Sequence, residues 1–399
     1  MRTLRSIVPL ACAALLGCGD DALQAQAPPP FQPPLPATDP EARGPYAVGV
    51  TTMDTDDGEG TGRLLPIEIW YPAAAPAGAS PASYDLMIGL VKLATMASPL
   101  GAVRDAPLDW RGAPHPVVVF SHGFGGTRFQ SLYLTEHLAS HGFVVAAPDH
   151  VGNTFAEQVN TANAIPAIEA ARLRPGDVSR TLDALLARAA AWPGDPLAYA
   201  ADPARVGVAG HSFGGFTALR MAGASIDAAA ATETCKENPG LPLCEGWGEV
   251  ELPASARDER FRASLPQAPG GSEAFSGGGL GDVAVPVMIQ AGTSDGMTPY
   301  PTEAAAPYAA LPPPAYLLTI EQAGHFTFSN MCALIAELGL SGEEFQDGCS
   351  PDNVPAAQAH AIIDRYATAF FQLAVAGDDA FAAELDPASA PVGASLQAK

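Results

Sequence analysis

Short apolar runs, set apart by polar and glycine-rich stretches, give the chain its rhythm. Residues 46–52 and 64–71 alternate apolar and polar side chains around the acidic turn Asp54-Thr55-Asp56-Asp57-Gly58-Glu59-Gly60, which predicts a strand hairpin. Residues 116–120, 143–148, 206–209, 261–266, 285–290 and 315–320 are apolar runs of the length a buried strand requires. Between them, helices are predicted over 130–141, 177–190, 216–222 and 356–374. The second of these places Val178, Leu182, Leu185 and Leu186 on one face. A further helix is read over 86–96, inside the alanine- and proline-rich stretch 73–112. Strands alternating with helices predict an α/β fold: a mainly parallel twisted sheet, helices on both faces and an N-terminal strand hairpin. No internal repeat is visible.

The ends differ from the middle. Arg2 and Arg5 precede an apolar stretch at 7–16 that is too short to span a membrane, so 1–17 reads as a signal peptide. Leu15-Leu16-Gly17-Cys18 resembles a bacterial lipobox, which makes Cys18 a lipidation site; Ala25-Gln26-Ala27 offers an ordinary cleavage site as the rival. Both imply export. Residues 18–45 read as a proline-rich tether, 46–375 as the catalytic domain and 376–399 as a disordered tail. Within the domain, 224–257 interrupts the strand–helix rhythm and reads as an insertion, a candidate lid.

The 20 basic and 43 acidic residues of the 399-residue chain give a formal charge of −23. Such a surface repels nucleic acid and anionic membrane, so membrane contact is expected only through a lipid anchor, and a monomer is expected. Outside the targeting segment stand four cysteines, Cys235, Cys244, Cys332 and Cys349, which allow three pairings. The local one, Cys235–Cys244 and Cys332–Cys349, is preferred. Four free thiols are the alternative, and a zinc site is disfavoured because no histidine lies at ligand spacing; no metal and no cofactor are expected.

Chemistry concentrates at Gly210-His211-Ser212-Phe213-Gly214-Gly215, directly after a strand and before a helix. Gly-x-Ser-x-Gly alone arises by chance in a glycine-rich chain, but strand, turn and helix together describe a nucleophile elbow. Glycines two residues either side leave room for a strained turn that raises the Ser212 hydroxyl. The base is sought at a strand's carboxyl end, where α/β sheets bind ligands, and His325 follows the last strand read, 315–320. Asp295, after the preceding strand, is the orienting carboxylate, with Glu321 as runner-up. The order Ser212, Asp295, His325 is that of α/β-hydrolases. Oxyanion donors are assigned to the backbone N–H of Phe213 and, in the loop Ser121-His122-Gly123-Phe124-Gly125-Gly126, to that of Phe124. His115, His137, His141 and His360 read as ordinary structural histidines.

Four stretches, 121–126, Ala147-Pro148-Asp149-His150-Val151-Gly152-Asn153-Thr154, Asp177-Val178-Ser179-Arg180-Thr181-Leu182-Asp183 and the elbow, together resemble the bacterial relatives of platelet-activating-factor acetylhydrolase, often labelled dienelactone hydrolases. The resemblance runs from Tyr46 to Phe371. It implies an α/β-hydrolase fold and a calcium-independent serine esterase without cofactor, with Ser212, Asp295 and His325 as its triad. True dienelactone hydrolases carry cysteine at the elbow, so Ser212 argues against that activity. The expected function is an exported carboxylic ester hydrolase acting on short-acyl esters. The alternatives are a polyester hydrolase, a phospholipid sn-2 acetylhydrolase and a catalytically silent binding protein.

Overall fold

The computed structural model describes residues 30–76, 78–191, 195–342 and 345–399; the signal segment and Cys18 lie outside the described residues. In chain order the strands are β1 (Ala47–Asp56), β2 (Leu64–Ala73), β3 (Ser83–Ile88), β4 (Val91–Ala97), β5 (Val103–Arg104) and β6 (His115–Ser121). They continue with β7 (Val144–Pro148), β8 (Ala201–His211), β9 (Phe261–Gln267), β10 (Val287–Gly292), β11 (Ala315–Ile320) and β12 (Ala394–Ala398). Ten of them form one sheet in the order β12-β11-β10-β9-β8-β6-β7-β2-β1-β5. From β11 to β7 neighbours are parallel; β2 joins β7 antiparallel, and β1 pairs with β2 as the predicted hairpin.

The helices are α1 (Leu132–Ser140), α2 (Phe155–Val159), α3 (Ala167–Ala191), α4 (Phe213–Ala222), α5 (Ala228–Glu237), α6 (Ala306–Ala310), α7 (Met331–Leu338) and α8 (Ala356–Phe371). Alternate residues of the central strands sort to the two faces. Val118, Phe120, Val145 and Leu265 pack with α1 and α8, whereas Val117, Val119, Val144 and Val208 pack with α3 and α4. The parallel strands therefore read as unbroken apolar runs because both their faces are covered. All of them end on one side of the sheet, and the loops after β6, β8, β10 and β11 meet there.

Four expectations are corrected. Residues 86–96 form the β3–β4 hairpin and not a helix. Gly89, at φ 57°, makes the turn, and Tyr84, Leu86, Ala94 and Met96 are buried with the period of two that marks a strand. The indole Nε1–H of Trp70 donates to Tyr84 Oη, which donates to Glu136 of α1, tying β3 to the domain. Helix α3 begins at Ala167, not at 177, and carries Pro175 inside it. A proline removes one ladder hydrogen bond, but burial of Ile168, Ala170, Leu173 and Arg174 holds the turn before it helical.

From Gln32 on, the proline-rich tether is docked: Gln32 O accepts from Gly112 N–H, and Pro40 O and Ala42 O accept from His137 Nε2 and His141 Nε2. The tail is ordered. Phe381, Leu385 and Leu396 are buried, and β12 covers the β11 edge, which would otherwise expose an unpaired ladder. Leu396→Ala should therefore lower unfolding free energy in urea by about 2 kcal/mol or more; a midpoint and slope equal to the parent's would return 376–399 to a disordered tail.

Candidate active site

At the end of β8 the chain turns sharply, with Ser212 at φ 58° and ψ −120°. The left-handed region is costly for a side chain bearing Cβ, and Ser212 is kept there by its surroundings. Its N–H donates to Gln267 O at 2.8 Å, and its carbonyl accepts from Gly215 N–H at 2.8 Å and Phe216 N–H at 3.1 Å. A Cβ on Gly214 would collide with Ser121 O, and one on Gly210 with Gly214 O, so both positions need glycine for close approach of backbone.

The loops after β10 and β11 bring Asp295 and His325 together. His325 Nδ1 lies 3.0 Å from Asp295 Oδ2 and 3.1 Å from Thr298 Oγ1, and both His325 and Asp295 are buried. Asp295 Oδ1 also accepts from the N–H groups of Met297 and Thr298 at 3.0 and 2.7 Å, and Oδ2 from Thr298 Oγ1 at 2.8 Å. Thr298 was not legible as a partner, although its place three residues after an aspartate is the spacing of such a turn. Glu321, the other carboxylate considered, is exposed.

The elbow and the base are joined through His211. Gln130 Oε1 accepts from Gly123 N–H at 3.0 Å, so its amide nitrogen faces His211 Nδ1 at 2.9 Å. Nδ1 is then the acceptor, the imidazole proton sits on Nε2, and Nε2 donates to His325 O at 3.0 Å. Burial holds the His211 imidazole well below its ordinary pKa, which keeps it neutral and this tautomer fixed. The His211 and His325 rings lie 4.6 Å apart. Three hydrogen bonds thus run from the glycine loop after β6 to the loop that carries His325.

In the glycine loop, the N–H of Phe124 and that of Phe213 have no acceptor within the chain among the described residues, and the two rings meet edge-on at 6.0 Å. Beneath the loop lies a second Ser-His-Asp arrangement. Ser121 Oγ is 2.9 Å from His150 Nε2, and His150 Nδ1 is 2.9 Å from Asp177 Oδ2, itself held by both Nη atoms of Arg63. Ser121 is wholly buried, so this copy of the geometry cannot meet a substrate. It fixes the end of β6. Burial pushes the Asp177 carboxyl up to about 6 against the pull of Arg63, and holds His150 neutral.

Asp347 is a further residue that the sequence did not single out. One oxygen accepts from His325 N–H at 2.8 Å, and the other from the N–H groups of Gly296 and Met297, each at 3.0 Å. One carboxylate therefore clamps the loop of Asp295 to the loop of His325. It stands in the segment closed by Cys332–Cys349; the other disulfide, Cys235–Cys244, ties α5 to the residues after it, and both pairings are the local ones. The insertion lies against the elbow helix, with Leu243 buried among Phe213, Phe216 and Phe275. His115, His137, His141 and His360 bond to backbone carbonyls and stand apart from Ser212 in the network above. Among the described residues no group of three His, Cys, Asp or Glu side chains is arranged to hold a metal ion.

Family models match the chain in two overlapping stretches, platelet-activating factor acetylhydrolase, isoform II, over residues 37–168 and chlorophyllase over residues 106–232. A ferulic acid esterase from Streptomyces cinnamoneus has the same fold, with a TM-score of 0.60 at 22% identity, covering 92% of this chain and 99% of that one. The chain has the α/β-hydrolase fold and, over residues 37–168, is similar to the platelet-activating factor acetylhydrolase family. Platelet-activating factor acetylhydrolase from Cavia porcellus is 30% identical to this chain over 28% of its residues, and the match spans 29% of that relative's length. The matched regions take in the hairpin, the glycine loop and the elbow; Asp295 and His325 lie beyond them.

Removing the clamp should loosen both loops while leaving Ser212 in place. Asp347→Ala is expected to lower kcat on an aryl ester about tenfold or more, since misplacement by an ångström is that costly. Fluorophosphonate labelling of Ser212 at unchanged Tm would check that the elbow survives; a parental kcat would show that the loops need no clamp.

Proposed function

We propose that this hydrolase is an exported serine carboxylic ester hydrolase acting on short-acyl esters through Ser212, His325 and Asp295. The observation that carries the reading is the buried Asp295–His325 pair at 3.0 Å, joined through His211 to the strained turn that bears Ser212. In this mechanism His325 Nε2 takes the Ser212 hydroxyl proton as Oγ attacks the ester carbonyl. Charge moves to the carbonyl oxygen, which the N–H groups of Phe124 and Phe213 receive. His325 returns the proton to the leaving alcohol, and water then repeats the sequence on the acyl-enzyme. Asp295 keeps Nδ1–H directed away from the serine and stabilises the imidazolium.

Phe124 and Met297, 45% and 56% exposed on the loops after β6 and β10, offer apolar surface beside the proposed triad suited to acyl or aryl groups. The same surface favours a polyester hydrolase as the second reading, and release of soluble monomers from a polymer film would single it out. A phospholipid acetylhydrolase is the reading the Cavia porcellus relative's name supports, and it would release acetate from the sn-2 position. The preference for short acyl chains rests on family resemblance. Two disulfides fit an oxidising compartment, and among the described residues no helix is long and apolar enough to cross a membrane. Attachment through a lipidated Cys18 and action as a monomer complete the proposal.

Hydrolysis of p-nitrophenyl esters from acetate to palmitate should fall steeply beyond butyrate. Ser212→Ala should lower kcat by roughly 10⁴–10⁶-fold. Activity peaking at long chains would make the protein a lipase with the same triad, and an equally active alanine variant would end the mechanism. Cells expressing the full chain with labelled palmitate should yield a labelled membrane-fraction protein, and Cys18→Ser should abolish the label. A Cys18→Ser protein still labelled, or a parent never labelled, leaves ordinary secretion.

A further inference from the structure

The glycine loop rests on a cation. Arg174, on α3, is 1% exposed, and its guanidinium spreads between backbone oxygens: Nη1 donates to His122 O, and Nη2 to Gly123 O at 2.9 Å and to Asn153 Oδ1. Its carbon lies 4.9 Å from the centre of the Phe213 ring. Among the described residues no carboxylate forms an ion pair with it, and its Nε has no partner. The nearby Asp177 is engaged by Arg63 and His150 instead. Burial draws the guanidinium down to about 9, still protonated at neutral pH. A buried cation with no carboxylate in direct contact is expensive, even with Asp177 nearby, and its position is specific.

Gly123 O and Phe124 N–H belong to the same peptide unit and point in opposite directions across a trans bond. That oxygen takes three donors, Arg174 Nη2 at 2.9 Å, His122 Nδ1 at 2.7 Å and Gly126 N–H at 3.1 Å. The N–H on the other side is left for a substrate oxygen. Donors on the carbonyl polarise the amide and strengthen its N–H as a donor, and they prevent the peptide from rotating. The cation's own field also favours negative charge at the same place, in a setting with little water to screen it.

We infer that Arg174 is the positioning residue of the oxyanion site, holding and polarising the Gly123–Phe124 peptide and supplying positive field to the charge that forms there. The inference rests on the esterase reading above and deepens it. It separates Arg174 from a packing role, because what matters is an uncompensated charge on that peptide.

Two substitutions test it. Arg174→Met keeps the bulk and removes the charge, with Arg174→Lys as the conservative partner. Asn153→Asp keeps Arg174 but sets a carboxylate against it; Asn153 is fully buried and its Nδ2 has no partner among the described residues, so the change is sterically small. On p-nitrophenyl acetate, both Arg174→Met and Asn153→Asp should lower kcat roughly 10–100-fold with KM within about threefold, the range for weakening one oxyanion donor. Affinity for a trifluoromethyl ketone, whose adduct places an oxyanion in the site, should fall in the same proportion, and Arg174→Lys should regain part of the loss.

Asn153→Asp should melt at or above the parental temperature, since it adds a buried ion pair, so its loss of rate is not a loss of fold. If Arg174→Met fails to fold, Asn153→Asp decides alone. Unchanged kcat and ketone affinity in a folded Asn153→Asp protein overturn the inference while leaving the esterase reading intact. Parental activity that survives Ser212→Ala overturns the esterase reading, and this inference with it.

Discussion

Holding Ser212 at a positive φ costs about 1–3 kcal/mol, and most of what surrounds the site follows from keeping it there. Strands β6, β8 and β9 pair in parallel, which puts Ser121 beside Gly210 and Gln267 beside His211 at their ends. Gln267 O receives the Ser212 N–H, and the carbonyl of Ser121 fills the space that a side chain at Gly214 would need. The turn is therefore bolted to the sheet on both sides. A relaxed turn would lower the hydroxyl and swing the Phe213 N–H away from the Phe124 N–H.

Around this turn, polar groups are buried in quantity and nearly all are satisfied in ordered chains. His122, His150 and His211 are all held neutral by burial, and each uses one ring nitrogen as donor and the other as acceptor. A neutral imidazole is well suited to such a chain, because it passes direction from one backbone segment to the next without adding charge. Two charged side chains act on the loops' backbone, Asp347 between the loops of Asp295 and His325 and Arg174 beneath the glycine loop. Both bind backbone groups, and each holds a loop beside Ser212 or His325.

The sequence carried the parts of this arrangement that depend on local pattern. Apolar runs marked β6 to β11, the glycines marked the elbow, and the ends of β10 and β11 marked Asp295 and His325. What it hid depends on tertiary burial. Pro175 looks like a helix breaker, and only the packing of Ile168 and Leu173 shows that α3 runs through it, carrying Arg174 under the loop. Residues 86–96 have helix-compatible composition, and the two-residue turn at Gly89 becomes a hairpin because Tyr84 has Trp70 and Glu136 to bond with. The C-terminal residues are polar enough to look unstructured, yet an edge strand needs only alternate residues buried. Asp347 and Gln130 sit in no motif, and their work is done on backbone atoms far away in the chain.

The wire from Gly123 through Gln130 and His211 to His325 means that the glycine loop and the loop carrying His325 are one mechanical part. A designer who widened the acyl site by reshaping residues 123–126 would drag the Gln130 amide, tilt His211 and shift the peptide that carries the imidazole. Broader substrate range and retained rate are therefore coupled traits in this scaffold. They are most readily separated by changing Met297, exposed on the loop after Asp295, and leaving the glycine loop as it is.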